Sequence, residues 1–353
     1  MRIAQAIAAA LVGHLLAFGA HADPLAVGVA APLSGGAELL GRQIEAGAKL
    51  AAHALEAELT IADDGCTAAG GEAAARRFAQ ARAQAVVGFL CMESLEAAAP
   101  ILKNAGIPVI AIGVRNDSLT DRRERTGWPV FRLGPRGDDE RNAVASILTR
   151  LWKDAHFAIV DDGTIYGREL AETFRAQAEQ AALKPVFVDT FRPGLENQTA
   201  LVGRLKRSGA THVFVGGDAE DIAIMGRDAA TLEAGITFAG GEALRAPYGD
   251  VALTTGTLMI ALPEWAEVAD PRSLEAFRAN GAIAEGYALP AYAAVQVARA
   301  AAGGSQPLEE ALSGRGFATA IGPIRFDAKG DLTQNPYRLF HFDGQRFLLA
   351  EVQ

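Results

Sequence analysis

The stretch 61–119, IADDGCTAAGGEAAARRFAQARAQAVVGFLCMESLEAAAPILKNAGIPVIAIGVRNDSL, constrains the fold more than any other part of the chain. It reads strand, Cys, helix, strand, Cys, helix, strand. Thr60 to Ala62, Ala85 to Phe89 and Val109 to Ile112 are short apolar runs, and amphipathic or Ala-rich segments separate them. Consecutive βαβ units with parallel strands follow. Each cysteine stands just past the carboxyl end of a strand. Neighbouring strands lie about 4.8 Å apart, and bonded cysteines keep their Cα atoms roughly 4.4 to 6.8 Å apart. A Cys66–Cys91 disulfide is therefore expected, bracing the rim where open α/β sheets bind ligands.

Disulfides persist in oxidising compartments, and the first residues read as an export signal. Met1-Arg2 is a minimal positive region, Ile3 to Gly19 is largely apolar, and Ala20-His21-Ala22 matches an A-x-A cleavage site, giving a cleavable signal peptide over 1–22. Gly13-His14 interrupts the apolar run, which falls short of the ~20 residues a spanning helix needs. No cysteine follows the cleavage site, so a lipid-anchored form is not expected; the reading is a soluble, periplasmic protein. The net charge of -9 opposes binding to nucleic acid or anionic membranes. The one dense basic patch, Arg122-Arg123-Glu124-Arg125, is expected in a solvated loop. With 353 residues and two cysteines, the chain exceeds the roughly 250 to 300 residues at which single cores stop growing. Two lobes are expected.

The pattern supports that division. Strand Ala26 to Ala31 opens a first series of βαβ steps that ends near Phe131 to Pro135, where Gly and Pro replace a further helix. A second series then runs from a helix at Asp138 to Trp152 as far as the strand Leu258 to Ile260, after which Pro263 suggests a return crossing. The last part alternates like antiparallel strands, over Ile324 to Phe326, Tyr337 to Asp343 and Gln345 to Val352, with Asp343-Gly344 as a hairpin turn. The fold class is thus α/β, with two similar Rossmann-like lobes, parallel sheets and a multi-strand hinge. The first lobe takes 23–133 plus about 263–322, and the second 134–262 plus about 323–353. Several short linkers restrict such lobes to opening and closing about one axis.

Motifs for catalysis are absent from the sequence. It holds no G-x-x-x-x-G-K-[ST], no H-E-x-x-H and no G-x-S-x-G. His156 and His212 open equivalent strands, where a structural role is expected, and their spacing suits no metal site. Asp63-Asp64-Gly65 and Asp161-Asp162-Gly163 follow strands. Paired acids can do acid and base work, but turn and capping roles fit these positions better. Ser34-Gly35-Gly36 before a helix is a weak anion-site signal.

Ordered blocks over nearly the whole chain carry a resemblance. They are Pro32-Leu33-Ser34-Gly35 with Gly41 and Gly47, the segment from Asp63-Asp64-Gly65-Cys66 to Gly88-Phe89-Leu90-Cys91, and Ile165-Tyr166-Gly167. Phe214-Val215-Gly216-Gly217, Gly240-Gly241-Glu242, and Gly322-Pro323-Ile324-Arg325-Phe326-Asp327 with Gly330-Asp331-Leu332 complete the set. Together they resemble the leucine/isoleucine/valine-binding type of periplasmic solute-binding protein. That resemblance implies a venus-flytrap fold of the type I class, no bond-breaking chemistry, no cofactor and no metal. It also implies a monomer whose lobes close on a small solute and which docks on the membrane permease of an ATP-driven importer. Closure requires only that the solute bind the closed form better than the open one.

In amino-acid-binding members a carboxylate at the position matching Glu242 meets the ammonium group, and an aromatic matching Tyr166 closes over the ligand. The other side departs from the family. Met92 stands where a hydroxyl residue commonly follows the second cysteine, Arg115 replaces a threonine beyond Gly113, and Leu40 replaces a polar residue in the first loop. Arg115 offers a planar fork suited to a carboxylate, or else points to solvent or pairs with Glu93. Backbone N–H groups after Cys91 are further donors, and Asp218 adds an acidic contact from the second lobe. The expected ligand residues are Leu40, Cys91, Met92, Gly113, Arg115, Tyr166, Asp218 and Glu242. The resemblance implies an amino-acid importer component for branched-chain or related amino acids. An amide, peptide-like or aromatic carboxylate solute, a sensor-associated receptor and a secreted hydrolase are the alternatives.

Overall fold

The computed structural model describes residues 24–350, so the expected signal peptide lies outside the described residues. The chain builds two sheets in succession. Strands β1 (Leu25–Ala31), β2 (Ala57–Asp63), β3 (Ala85–Gly88), β4 (Val109–Ala111) and β5 (Val130–Arg132) form a parallel sheet in the order β2-β1-β3-β4-β5. Strands β6 (Phe157–Asp161), β7 (Phe187–Thr190), β8 (His212–Gly216), β9 (Thr237–Gly240) and β10 (Leu258–Ala261) form the parallel part of the second. A separate hairpin, β11 (Gly316–Thr319) with β12 (Gly322–Arg325), comes next. The last strands, β13 (Arg338–Phe342) and β14 (Phe347–Leu349), add antiparallel to β10 and complete the second sheet as β14-β13-β10-β9-β8-β6-β7.

Both sheets are covered on both faces, so central strands such as β3, β6 and β8 are apolar and buried almost throughout, while the edge strands β2 and β7 keep exposed positions. Successive residues still point to opposite sides. Leu25, Val27 and Val29 pack with Ile44, Ala48 and Leu289 from the helices Glu38–Leu55 and Ala288–Ala302. Ala30, Val86 and Val109 face the other way, against Phe78, Leu95 and Leu102. The two helices of the first face meet closely because a Cβ on Gly47 would run into the Ala288 carbonyl. The second sheet repeats this design, with Val213 and Val215 on one face and Phe157, Ile159 and Phe214 on the other.

The disulfide joins Cys66 to Cys91 with the Cα atoms 5.2 Å apart. The route differs from a bridge between adjacent strands. Strand β1 lies between β2 and β3, which puts those two roughly 10 Å apart in the sheet. The loops converge over the end of β1 instead, as Asp64 N–H donates to the Ala31 carbonyl at 3.1 Å and Phe89 N–H to the Ala30 carbonyl at 2.8 Å. Left-handed backbone at Cys66, Gly88 and Phe89 makes the bends.

Two further expectations need correction. Ile324 and Phe326 belong to the first core, where Phe326 stacks 5.3 Å from Phe131, so the last crossing follows Leu332 and not 322. Apolar alternation over 324–326 looks the same whether the strand joins a large sheet or a small hairpin. The basic patch is also helical rather than loop: Arg122 precedes the short helix Arg123–Thr126, Glu124 and Arg125 are exposed as expected, and Arg123 turns inward, donating to the Val130 carbonyl at 2.6 Å with its guanidinium 4.8 Å from the Phe131 ring centre.

The first and last crossings are tied by ions. Arg132 is fully buried and donates Nε–H to Asp331 Oδ1 at 2.9 Å, while Asp331 Oδ2 accepts from Arg136 at 2.7 Å and from the Thr120 hydroxyl at 2.8 Å. Arg132 also donates to Thr120 Oγ1 and to the Asn116 carbonyl. Removing one partner of such a buried group strands the other charge, at a cost of about 3–5 kcal/mol. Asp331→Ala is expected to lower the urea unfolding free energy by that amount, and a loss below about 1 kcal/mol would contradict this role. Reducing the disulfide should lower stability by about 3 kcal/mol, the loop-closure value for a span of this size, as read from denaturation with and without reductant.

Candidate binding cleft between the lobes

Parallel sheets place the loops after their strands on one side, and in this fold both sets of loops face the crevice between lobes. The loop after β4 carries Gly113 and Arg115; the short 3-10 turn after β9, Glu242–Arg245, carries Glu242. These three line one interlobe cavity of about 190 Å³. Its apolar wall comes from the crossings and from the first lobe, with Leu133, Pro263, Trp265 and Tyr287 among the lining residues.

Arg115 and Glu242 meet across the gap. Arg115 Nη1 donates to Glu242 Oε2 at 3.5 Å and to the Tyr337 hydroxyl at 3.3 Å, and Tyr337 donates to the same Glu242 oxygen at 3.0 Å. Tyr337 is buried just past the last crossing. A second acid stands behind this trio. Glu140, in the first turn of the helix Asp139–Leu151, accepts the Tyr166 hydroxyl at 2.6 Å and the Glu242 backbone N–H at 2.7 Å. The Tyr166 oxygen in turn accepts the Ala243 N–H at 3.3 Å. Gly241 permits this arrangement, since a Cβ there would strike both Glu140 Oε1 and the Tyr166 hydroxyl.

The structure therefore brings Gly113, Arg115 and Glu242 together and links Tyr166 to them through Glu140. It leaves the other expected ligand residues outside this cavity. Leu40 is 39% exposed in the first turn of Glu38–Leu55, Met92 packs partly against the second face of the first sheet, and Asp218 is exposed ahead of the helix Ala219–Thr231. Cys91 is in the disulfide and precedes the helix Met92–Asn104. Arg115 does not pair with Glu93; its side chain is 43% exposed, and its acidic partner lies in the opposite lobe. Sequence reasoning missed Glu140, Tyr287, Trp265 and Tyr337. The one signal for Glu140 was its place right after the first crossing.

The acidic pairs have structural partners. Asp63 accepts from Leu33 N–H at 2.7 Å and Gly65 N–H at 2.9 Å, and buried Asp64 accepts from Cys66 N–H at 3.1 Å and the Ser94 hydroxyl at 3.0 Å. Asp161 and Asp162 hold the turn at Gly163 and Thr164 in the same way. His212 packs on Trp152 with ring centres 5.4 Å apart, and burial pushes its imidazole below the usual value. No group of three or more possible metal ligands occurs among the described residues.

A family model described as periplasmic binding protein matches residues 24–346. An amino acid binding protein of Pseudomonas aeruginosa is 30% identical, over 96% of this chain and 96% of its own. A Leu/Ile/Val-binding protein of Rhizobium johnstonii is 27% identical, over 94% of this chain and 95% of its own. Among solved structures, an ABC transporter substrate-binding protein from Desulfitobacterium hafniense in complex with Leu aligns with a TM-score of 0.63 at 22% identity, covering 93% of this chain and 100% of that one. A solute-binding protein of an ABC transporter from Rhodopseudomonas palustris, in complex with p-hydroxybenzoic acid, gives 0.59 at 19% identity, covering 94% and 96%. These structural likenesses establish the two-lobed, type I fold.

Burial raises the Glu140 carboxyl above its ordinary 4.5, and the nearby Glu242 charge adds to the rise, against hydrogen bonds from Tyr166 and Glu242 that lower it. Burial and the neighbouring acids likewise raise the Tyr166 and Tyr337 hydroxyls. For Glu140 the native state binds the proton more readily than the unfolded chain, so stability falls as pH rises through the window above 4.5. Glu140→Gln keeps the accepting oxygen and removes the charge. The variant is expected to melt higher than the parent at pH 7, with the gain fading toward pH 4; a gain that persists undiminished at pH 4 would contradict the charged origin.

Proposed function

The chain belongs to the periplasmic binding protein family, in its leucine/isoleucine/valine-binding type, and from that premise we propose that it is the solute-binding component of an ABC amino-acid importer. Members of this type are binding proteins and not enzymes. The observation that carries the reading is the opposed charge pair in the cleft: a carboxylate from one lobe and a guanidinium from the other, 3.5 Å apart. An α-amino acid carries the complementary charges on one carbon. Glu242 takes the ammonium, Arg115 the carboxylate, and the apolar wall of Leu133, Pro263, Trp265 and Tyr287 takes the side chain. A branched-chain amino acid suits such a wall. Because each charge comes from a different lobe, a zwitterion bound to both favours the closed form, and closure is the signal a permease reads.

Leu40, Met92, Tyr166 and Asp218 all follow the carboxyl ends of parallel strands, at β1, β3, β6 and β8, and we assign them to the rim of the same crevice. The signal peptide at 1–22 and export to the periplasm belong to this proposal, as do the permease partner and the monomeric state. The aromatic members of the cavity wall, Trp265 and Tyr287, favour one second reading, an aromatic carboxylate held by Arg115.

Calorimetry with the common L-amino acids and with benzoate-type acids separates these readings. The expected result is tight binding of at least one branched-chain L-amino acid, with the protein becoming more compact in solution scattering. Binding of aromatic acids alone would favour the second reading, and binding of neither class would remove the first. Glu242→Gln should weaken the bound amino acid by roughly ten- to a hundredfold, the range for a hydrogen bond to a charged group, and unchanged affinity would dismiss the ammonium assignment.

A further inference from the structure

Arg115 is more than a carboxylate donor in waiting. Its guanidinium makes side-chain hydrogen bonds to Glu242 and Tyr337, both in the opposite lobe, and Glu242 is its acidic partner. The acid expected to take a ligand ammonium thus already has a cation within 3.5 Å. We propose that Arg115 is a specificity gate: a resident cation that an incoming ammonium must displace from Glu242, and that only a solute with its own carboxylate can displace without stranding a charge. This rests on the reading of the cleft as an amino-acid site and names what the site rejects.

The reasoning is a count of charges at close range. A plain amine can bond Glu242, but it pushes Arg115 off and then holds a second positive charge beside it, with no anion to receive the guanidinium. A plain acid can bond Arg115, but it draws the guanidinium away and leaves the Glu242 carboxylate without its cation, with the Glu140 carboxylate close behind on the Glu242 backbone N–H. A zwitterion exchanges one internal ion pair for two new ones. Its ammonium goes to Glu242, and its carboxylate meets the planar fork of Arg115, which suits two parallel N–H···O bonds. Discrimination of this kind comes from repulsion built against the wrong ligand as much as from attraction to the right one. A threonine at position 115 would supply the carboxylate bond without the gate, since a hydroxyl cannot neutralise Glu242. The same contact pulls the lobes together, because its two partners belong to different bodies joined only by the crossings.

The test uses the branched-chain L-amino acid that binds tightest, its decarboxylated amine and its deaminated acid; for L-leucine these are 3-methylbutylamine and 4-methylpentanoate. Each is titrated calorimetrically into the parent protein and into Arg115→Gln. The parent should prefer the amino acid to either analogue by at least a hundredfold. Arg115→Gln should bind the amino acid at least tenfold more weakly and the amine at least tenfold more tightly. Those opposite signs separate a gate from a merely structural residue, and circular dichroism melting checks that the variant is folded. Scattering without solute adds an independent arm, in which Arg115→Gln should be the more open form. Equal losses for amine and amino acid, or an amine affinity that does not change, would overturn the gate while leaving the importer reading in place. Equal scattering of the two proteins would remove the latch between lobes. Failure of every L-amino acid to bind the parent would overturn the importer reading and the gate with it.

Discussion

The structure turns on the carboxylate of Asp331. It lies between Arg132, at the end of the first sheet, and Arg136, in the first crossing, while belonging itself to the approach to the last crossing. Burying these charges is expensive, and such a group is retained for geometry more than for net stability. Here it fixes where two linkers leave the first lobe. Arg136 is further surrounded by Asp117, Asp121 and Asp138, so burial of its charge is outweighed and it stays firmly protonated. Leu133 and Pro135 on one side and Tyr337 on the other then follow within a few residues, and all three bear on the cleft. The floor of the candidate cleft is set by the hinge.

That arrangement explains which parts of the protein were legible from the amino-acid sequence. Apolar runs of strand length and helical segments between them marked both sheets, because the central strands are buried on both faces and so stand out from their surroundings. The disulfide was foreseen, but through an adjacency of strands that the β2-β1-β3 order removes; strand order depends on which helix covers which face and leaves no local trace. The last crossing was misplaced because Ile324 and Phe326 alternate like Phe340 and Phe342, although the former pair closes the first core and the latter the second.

The site was half legible for a related reason. Glu242 and Tyr166 were singled out by the resemblance, through their surrounding motifs, and the structure joins them through Glu140. Arg115 was noticed as a departure, yet its partner lies 127 residues away in sequence, and no periodicity links them. Glu140 and Tyr337 were invisible because each acts only where a crossing delivers it. The paired acids, expected in turn and capping roles, do hold turns, as Asp63 and Asp162 illustrate.

Neither lobe is a continuous piece of chain. The first core waits for Ala288–Ala302 and for Phe326, and the second sheet waits for β13 and β14 at the far carboxyl end. During synthesis, then, the first core cannot close before residue 326 has emerged, nor the second sheet before residue 349. The two halves therefore cannot finish one after the other along the chain, since the first is sealed only after the parallel strands of the second have been made.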